Sequence, residues 1–501
     1  MDWLLALPFL LPIAVGLLAF SARRQPQLAR VISLLGCVGL LLVALAIFVQ
    51  VVTLGPVATQ MGNWPAPFGI TLVVDRLSAI MLLLAALVGT SVAVFAQADI
   101  DLHRETLGFQ GFYQLLLAGV CGSFVTGDLF NLYVWFEVML IASFALLVLG
   151  GEREQLDGAI KYVALNLVST LLMLMAIGMI YGLTGTLNMA ALHQALGQVE
   201  QRAALQLLAV LLIAAFGIKA ALFPLYFWLP ASYHVPPVAV TAVFAGLLTK
   251  VGVYALIRTF TLIFPADLSV ARELLLGAAL LTMLSGVLGA ASQYEFRRIL
   301  AFHIISQIGF LVLGLALYSP LALAGSIFYM AHNIIAKTNL LLISGTARRM
   351  AGSFELRKIG GLYRASPLLA AVFFIAAFSL AGFPPLSGFW AKLLLVTASL
   401  DQAAYWVAAV ALVTGALTLF SMSKIWSEAF WKASPQEPSQ KLTCLPAIER
   451  VQRMAPAVVL VLITLLLGLF PQPLIEFSEA AAAELLDPTA YVAAVLAPGA
   501  Q

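Results

Sequence analysis

The sequence predicts an all-α protein that crosses a membrane many times, and three observations lead there. Of its 501 residues 62% are hydrophobic and only 10% charged, with a mean hydropathy of +1.04; a soluble domain carries about 25% charged residues. Apolar runs long enough to span a bilayer recur from one end of the chain to the other. The basic residues collect in every second connection between those runs.

The runs give about 14 spans at roughly 20 residues each. In chain order they lie near 3–22, 29–53, 73–96, 108–126, 129–150, 160–183, 204–230, 236–262, 273–292, 298–318, 321–347, 366–397, 402–427 and 454–472. The first lacks a basic leader and a small-residue cleavage site, so it reads as a retained helix. The fourth is the shortest and the eleventh the most polar. Residues 185–203 read as an amphipathic helix on the outer surface. Residues 428–453 read as a Pro-, Lys- and Glu-rich loop, and the segment after Phe470 as an acidic, Ala-rich tail. Asp75 and Arg76, where the third helix begins, read as interfacial anchors.

Sorting Lys and Arg by connection places 17 on one side and 4 on the other, with 5 of the 26 inside spans. By the positive-inside rule the first side is cytoplasmic. The chain is therefore expected in a cell membrane with both termini on the outer side. The basic residues inside spans are Lys219, Lys250, Lys337, Lys392 and Lys424; the one mid-span acid is Glu137. Lys424 lies near a helix end and reads as a snorkelling anchor.

Two spans, the seventh and twelfth, are interrupted by proline. Pro224 lacks an N–H and frees the carbonyl of Ala220; Pro384 and Pro385 free those of Leu380 and Ala381. The segments FPLYFW (223–228) and FPPLSGFW (383–390) resemble each other, and each lies in a span that carries a lysine. Their 160-residue offset covers five helices, an odd number, which places the copies in opposite orientations. That is the signature of an inverted repeat. The expected organisation is helices 1–3 (1–107), a first repeat of helices 4–8 (108–262), a second of helices 9–13 (263–427), and a loop, helix 14 and outward tail (428–501).

A charge at membrane depth costs roughly 2.5–3.5 kcal/mol on insertion scales, so four deep lysines need a purpose. Glu137 and Lys219 are the natural pair. An ammonium beside a carboxylate holds its proton; moved away, or faced with another cation, it releases it. Each lysine is thus a candidate proton carrier. A static ion pair that specifies helix packing would account for Glu137 and one lysine only. On the eleventh span Asn333 and Lys337 share a face, beside His332, Thr338 and Asn339. On the tenth, His303 and Gln307 do so, beside Ser306. Either histidine could relay protons or be a satisfied core residue.

No P-loop, glycine-rich dinucleotide fingerprint, zinc-binding HExxH or cysteine cluster is present; Cys37, Cys121 and Cys444 share no ligand spacing. No cofactor, metal or nucleic-acid partner is expected. The chain reads as a carrier of ions, not an enzyme.

Several stretches together resemble one family: GNWPAPFGITLVVDRLSA (62–79), the helix with Glu137, GIKAALFPLYFWLPASY (217–233), the helix running through LLTK to Lys250, AHNIIAKTNLLL (331–342) and GFPPLSGFWAKLLL (382–395). This is similar to the antiporter-like subunits of Mrp-type multisubunit Na⁺/H⁺ antiporters, respiratory complex I and membrane-bound hydrogenases. The resemblance covers essentially the whole chain. It implies 14 helices, two inverted five-helix repeats and discontinuous helices 7 and 12. It also implies a proton half-channel at each broken helix, joined through Glu137, Lys219, Lys250, Lys337 and Lys392, with Glu137–Lys219 as a gate. Partners would be the other subunits of the complex, with protons and Na⁺ as cargo. Lys392 separates the chain from complex I members that carry glutamate there, and its short C-terminal segment from members with long extensions. The alternatives are a proton-pumping subunit of a redox complex and a stand-alone carrier of an organic solute.

Overall fold

The protein is described from a computed structural model covering residues 3–264, 269–435 and 440–496. Among the described residues, ten helices are long and apolar enough to cross a membrane, and three shorter apolar ones, Leu7–Ser21, Phe109–Val125 and Pro367–Ala381, accompany them. The helix Pro320–Ala351 has the length but not the apolarity, because His332, Asn333, Lys337, Thr338 and Asn339 sit along it.

Burial sorts the helices into layers. Val238–Ile263 is buried throughout its most apolar stretch and Phe296–Leu317 nearly so. Around them, Pro26–Leu54 and Arg153–Thr184 expose large apolar side chains such as Leu35, Leu42 and Leu171. The deep polar and charged groups lie inside, and the outer helices present leucine to their surroundings, the arrangement lipid demands when the backbone is satisfied within helices.

The motif at 62–79 contributes something the helical reading omits. Val57–Gln60 pairs antiparallel with Thr71–Val74, Val57 opposite Val74 and Gln60 opposite Thr71. The β-branched Thr-Leu-Val-Val strand is wholly buried, which favours the pleated conformation.

Other expectations are corrected. The surface helix is shorter, Met189–Gly197, capped by Asn188. The last span starts early, at Ala447, so Arg450 and Arg453 are helical rather than in a loop. The acidic, Ala-rich tail after Phe470 is helical over Gln472–Leu486 and Thr489–Leu496, tied down by Glu484 pairing with Arg76 and Val495 accepting from Gln60. Lys424 is no free anchor, because its ammonium donates to the carbonyls of Ala291 (2.7 Å) and Gln293 (2.6 Å) where helix Ser269–Ser292 ends. A cation suits that negative helix end.

Candidate functional site

The first break is a complete stop. Helix Arg202–Ala220 ends because Ala221 takes a left-handed φ of 64°. Ala221 N–H donates to the Ile218 carbonyl and Leu222 N–H to that of Gly217, a Schellman closure. Pro224 follows in non-helical chain, and helix resumes only at Trp228–Ser232. The second break repeats the pattern. Helix Pro367–Ala381 ends at Gly382, φ 92°; Gly382 N–H donates to Ser379 and Phe383 N–H to Phe378. Pro384 and Pro385 lie in the gap before Ser387–Asp401.

Lys219, 4% exposed, sits one residue before the first stop. Its ammonium has no hydrogen-bond partner and lies 5.9 Å from the Phe136 ring centre. Glu137, next to Phe136, has a buried carboxylate oxygen that is likewise unbonded. The two charges are within electrostatic reach but share no ion pair. The expected pair are electrostatic neighbours without a direct bond.

Lys250 is fully buried and donates to the Ala245 carbonyl at 2.7 Å. That acceptor lies in a π turn, Phe244–Leu248, where the widened turn loosens the ordinary helix ladder. Gly252 brings this helix against the first break: a Cβ there would lie 2.6 Å from the Ala220 nitrogen. Lys219 and Lys250 are thus carried on backbones in direct contact. Gly246, within the π turn, faces Thr338, since a Cβ at Gly246 would lie 2.4 Å from its hydroxyl.

Lys337 follows at the centre, 0% exposed and without a hydrogen-bond partner, with Lys250 and Lys392 as the charges acting on it. Asn333 and Asn339 are buried with their side-chain amides unbonded. His332 Nδ1 meets Ser387 Oγ at 2.8 Å, and Ser387 meets Ser379 at 3.1 Å, so this imidazole touches the second break directly. His303 is buried with both ring nitrogens unbonded, and its neighbour Gln307 accepts from Tyr329. Lys392 donates to Leu380 (3.1 Å) and Ala381 (2.8 Å), the two carbonyls that the prolines were expected to free.

Lys219, Lys250, Lys337, His332 and His303 are thus buried near or between the two breaks, with Glu137 within electrostatic reach of Lys219 and Lys392 at the second break. Ammonium, imidazole, hydroxyl and amide groups in series can pass a proton from one to the next. Among the described residues no cluster of His, Cys, Asp or Glu could hold a metal ion.

One charged feature differs from its sequence expectation. Asp75 is no interfacial anchor: its carboxylate pairs with both terminal nitrogens of Arg258 at 2.7 Å, and both residues are buried. Asp75 also caps its helix by accepting from Ser78 N–H. Ser78 bonds the Tyr254 hydroxyl at 2.8 Å. The spacing of Lys250, Tyr254 and Arg258, four residues apart on one helix, was the available signal.

The comparisons with known proteins place the chain in a family. Residues 126–418 match the family described as NADH:quinone oxidoreductase/Mrp antiporter, transmembrane. A Na⁺/H⁺ antiporter subunit of Alkalihalophilus pseudofirmus is 48% identical over 497 residues, 99% of this chain and 100% of that protein. A chain of the Mrp complex from Dietzia sp. superposes with a TM-score of 0.92 at 34% identity, covering 99% of this chain and 100% of that one. A chain of respiratory complex I from Thermus thermophilus does so with a TM-score of 0.82 at 27% identity, covering 96% and 99%. The chain belongs to the NADH:quinone oxidoreductase/Mrp antiporter membrane family.

Proposed function

We propose that this chain is the proton-translocating subunit of a multisubunit Na⁺/H⁺ antiporter. The observation that carries the reading is the line of four lysines with a single carboxylate, in which Lys219 and Lys337 have no bonded partner. A static ion-pair role would leave no such surplus of buried cations. Protons moving inward through Lys219, Lys250, Lys337 and Lys392, with His332 and His303 beside the path, would drive Na⁺ export elsewhere in the complex. Separation of Glu137 from Lys219 fits a gate whose two charges approach and part during the cycle.

The same reading includes 14 spans in two inverted five-helix units, 108–262 and 263–427, with helices 1–3 before them and the segment 428–501 after. Both termini face outward, and other antiporter subunits are the partners. Matched Schellman closures, Leu222 onto Gly217 and Phe383 onto Phe378, support equivalence of the two breaks.

The test is Glu137→Ala in the assembled complex, assayed by Na⁺-dependent collapse of ΔpH in everted vesicles. Loss of antiport is expected; full activity in an intact complex discards the gate. A redox-driven proton pump is the second reading, favoured by the likeness to complex I. Mass spectrometry of the affinity-purified complex separates the two, since flavin and iron–sulfur subunits would accompany a pump.

A further inference from the structure

The two breaks are held in place differently. Leu222 closes onto Gly217 as Phe383 closes onto Phe378, so in register Phe223 falls opposite Pro384 and Pro224 opposite Pro385. At the second break Pro384 has no amide proton to satisfy. Lys392 holds that break itself, donating to the carbonyls of Leu380 and Ala381. At the first break Phe223 does carry an N–H. Standing before a proline, it is steered away from helical backbone, so its N–H has no place in a helix ladder and needs a partner from elsewhere.

That partner is Thr282. The Phe223 N–H donates to Thr282 Oγ1 at 2.8 Å. Among the described residues it is the one hydrogen bond that joins 221–227 to chain outside 217–233. Thr282 is fully buried on helix Ser269–Ser292. Its own proton goes to the Ala278 carbonyl at 2.5 Å, which leaves the oxygen lone pairs to accept. The helix is in turn packed backbone to backbone on Phe296–Leu317. A Cβ at Gly286 would lie 2.4 Å from the Ser306 nitrogen, and one at Gly309 2.6 Å from the Ala279 oxygen. Phe296–Leu317 carries His303 and Gln307. One hydroxyl therefore links the break beside Lys219 to the helix pair that bears His303.

We infer that Thr282 is the positioning residue of the first break, a role that rests on the proton-carrier reading above. Its hydroxyl holds the interrupted chain there, as the Lys392 ammonium does at the second break. The Lys219 ammonium is thereby left without a structural bond and is free to gain and lose a proton. Without the hydroxyl the break loses its link to helix Ser269–Ser292. Lys219, four residues before Phe223, then shifts against Glu137, the charge that acts on it.

The experiment uses the complete complex in everted vesicles and measures Na⁺-dependent ΔpH collapse per assembled complex over a range of pH. Thr282→Val keeps the branched shape and removes the acceptor, whereas Thr282→Ser keeps the acceptor. Phe223→Pro removes the donor, as Pro384 does at the other break, and strands no buried donor. Phe223→Ala loses the ring and keeps the donor. The positioning role predicts a fall of about tenfold or more in Thr282→Val and Phe223→Pro, with a displaced pH optimum. Thr282→Ser and Phe223→Ala should stay near the wild-type rate. If Thr282→Val fails to assemble, Phe223→Pro decides. A merely structural hydroxyl would lower the amount of complex and leave the rate and pH optimum of what assembles unchanged. That result, or a wild-type rate in Phe223→Pro, overturns the positioning role. Lys219→Ala tests the reading beneath it: loss there with wild-type rates in the other variants overturns the positioning role alone. A wild-type rate in Lys219→Ala overturns the carrier reading itself.

Discussion

The Lys392 ammonium donates to the Ala381 carbonyl at 2.8 Å, so the lysine caps the helix whose end it faces across the second break. Replacing it with methionine leaves the carbonyls of Leu380 and Ala381 without this donor, at about 1–3 kcal/mol for each buried group left unsatisfied. Lys392→Met is expected to abolish antiport and lower the thermal midpoint of the purified complex. Gly382→Ala is expected to impair antiport with the lysine still present. Its Cβ would lie 2.8 Å from Lys392 Cδ at a φ of 92°. Normal transport in both variants would show that the capping contact is dispensable.

The contact between the Lys219 and Lys250 backbones depends on Gly252. A methyl there would lie within 3.0 Å of three backbone atoms of Lys219 and Ala220, and overpacking of this kind costs roughly 1–3 kcal/mol. Gly252→Ala should reduce antiport by moving the two lysines apart. Gly178→Ala, where an added Cβ meets nothing within 4 Å, should leave it unchanged. Equal rates in the two variants would contradict the spacing argument.

Asp75 and Arg258 are a buried pair, and removing one partner strands the other. Asp75→Ala is expected to destabilise the protein by about 3–5 kcal/mol, whereas pairing it with Arg258→Met should recover much of that loss. Thermal denaturation of the four members of the cycle gives the coupling. Additive effects would mean that the pair contributes nothing beyond its two separate side chains.

His234 follows the first broken helix, outside the spans, and lines a polar cavity of about 590 Å³. Burial, followed by the charges of Arg298 and Arg297, lowers its pKa from 6.5 to about 4. Its Nδ1 meets the Pro230 carbonyl and its Nε2 meets Arg298, a pattern that suits the neutral ring. Between pH 6.5 and about 4 the unfolded chain binds a proton that the folded chain does not. Its contribution to stability is therefore complete above pH 6.5 and is lost as pH falls to about 4. His234→Gln should flatten the acid side of the thermal-stability profile. An unchanged slope would mean that another group sets it.

Much of this architecture is legible along the chain because it follows from local chemistry. Apolar runs partition into lipid wherever they occur, and proline lacks an amide proton in any context, so the spans and both breaks can be read residue by residue. Lys219, Lys250, Lys337, Lys392 and Glu137 stand out because charge inside an apolar run is visible without a fold. The carbonyls of Leu380 and Ala381 could even be named as freed, although nothing local says that Lys392 turns back to meet them.

What tertiary structure alone decided is which group faces which. Asp75 meets Arg258 across 183 residues, and neither position marks the other. Glu137 and Lys219 look like a natural pair by elimination, but their side chains make no direct hydrogen bond. The π turn at Phe244–Leu248 that offers Lys250 its acceptor has no signature in residue type. The stretch 214–250 declares two lysines and a broken helix by composition. The contact by which Gly252 brings its second lysine-bearing helix against the first break depends on how the helices pack. Hydrogen bonds form or fail over fractions of an ångström, a scale at which apolar patterning carries no information.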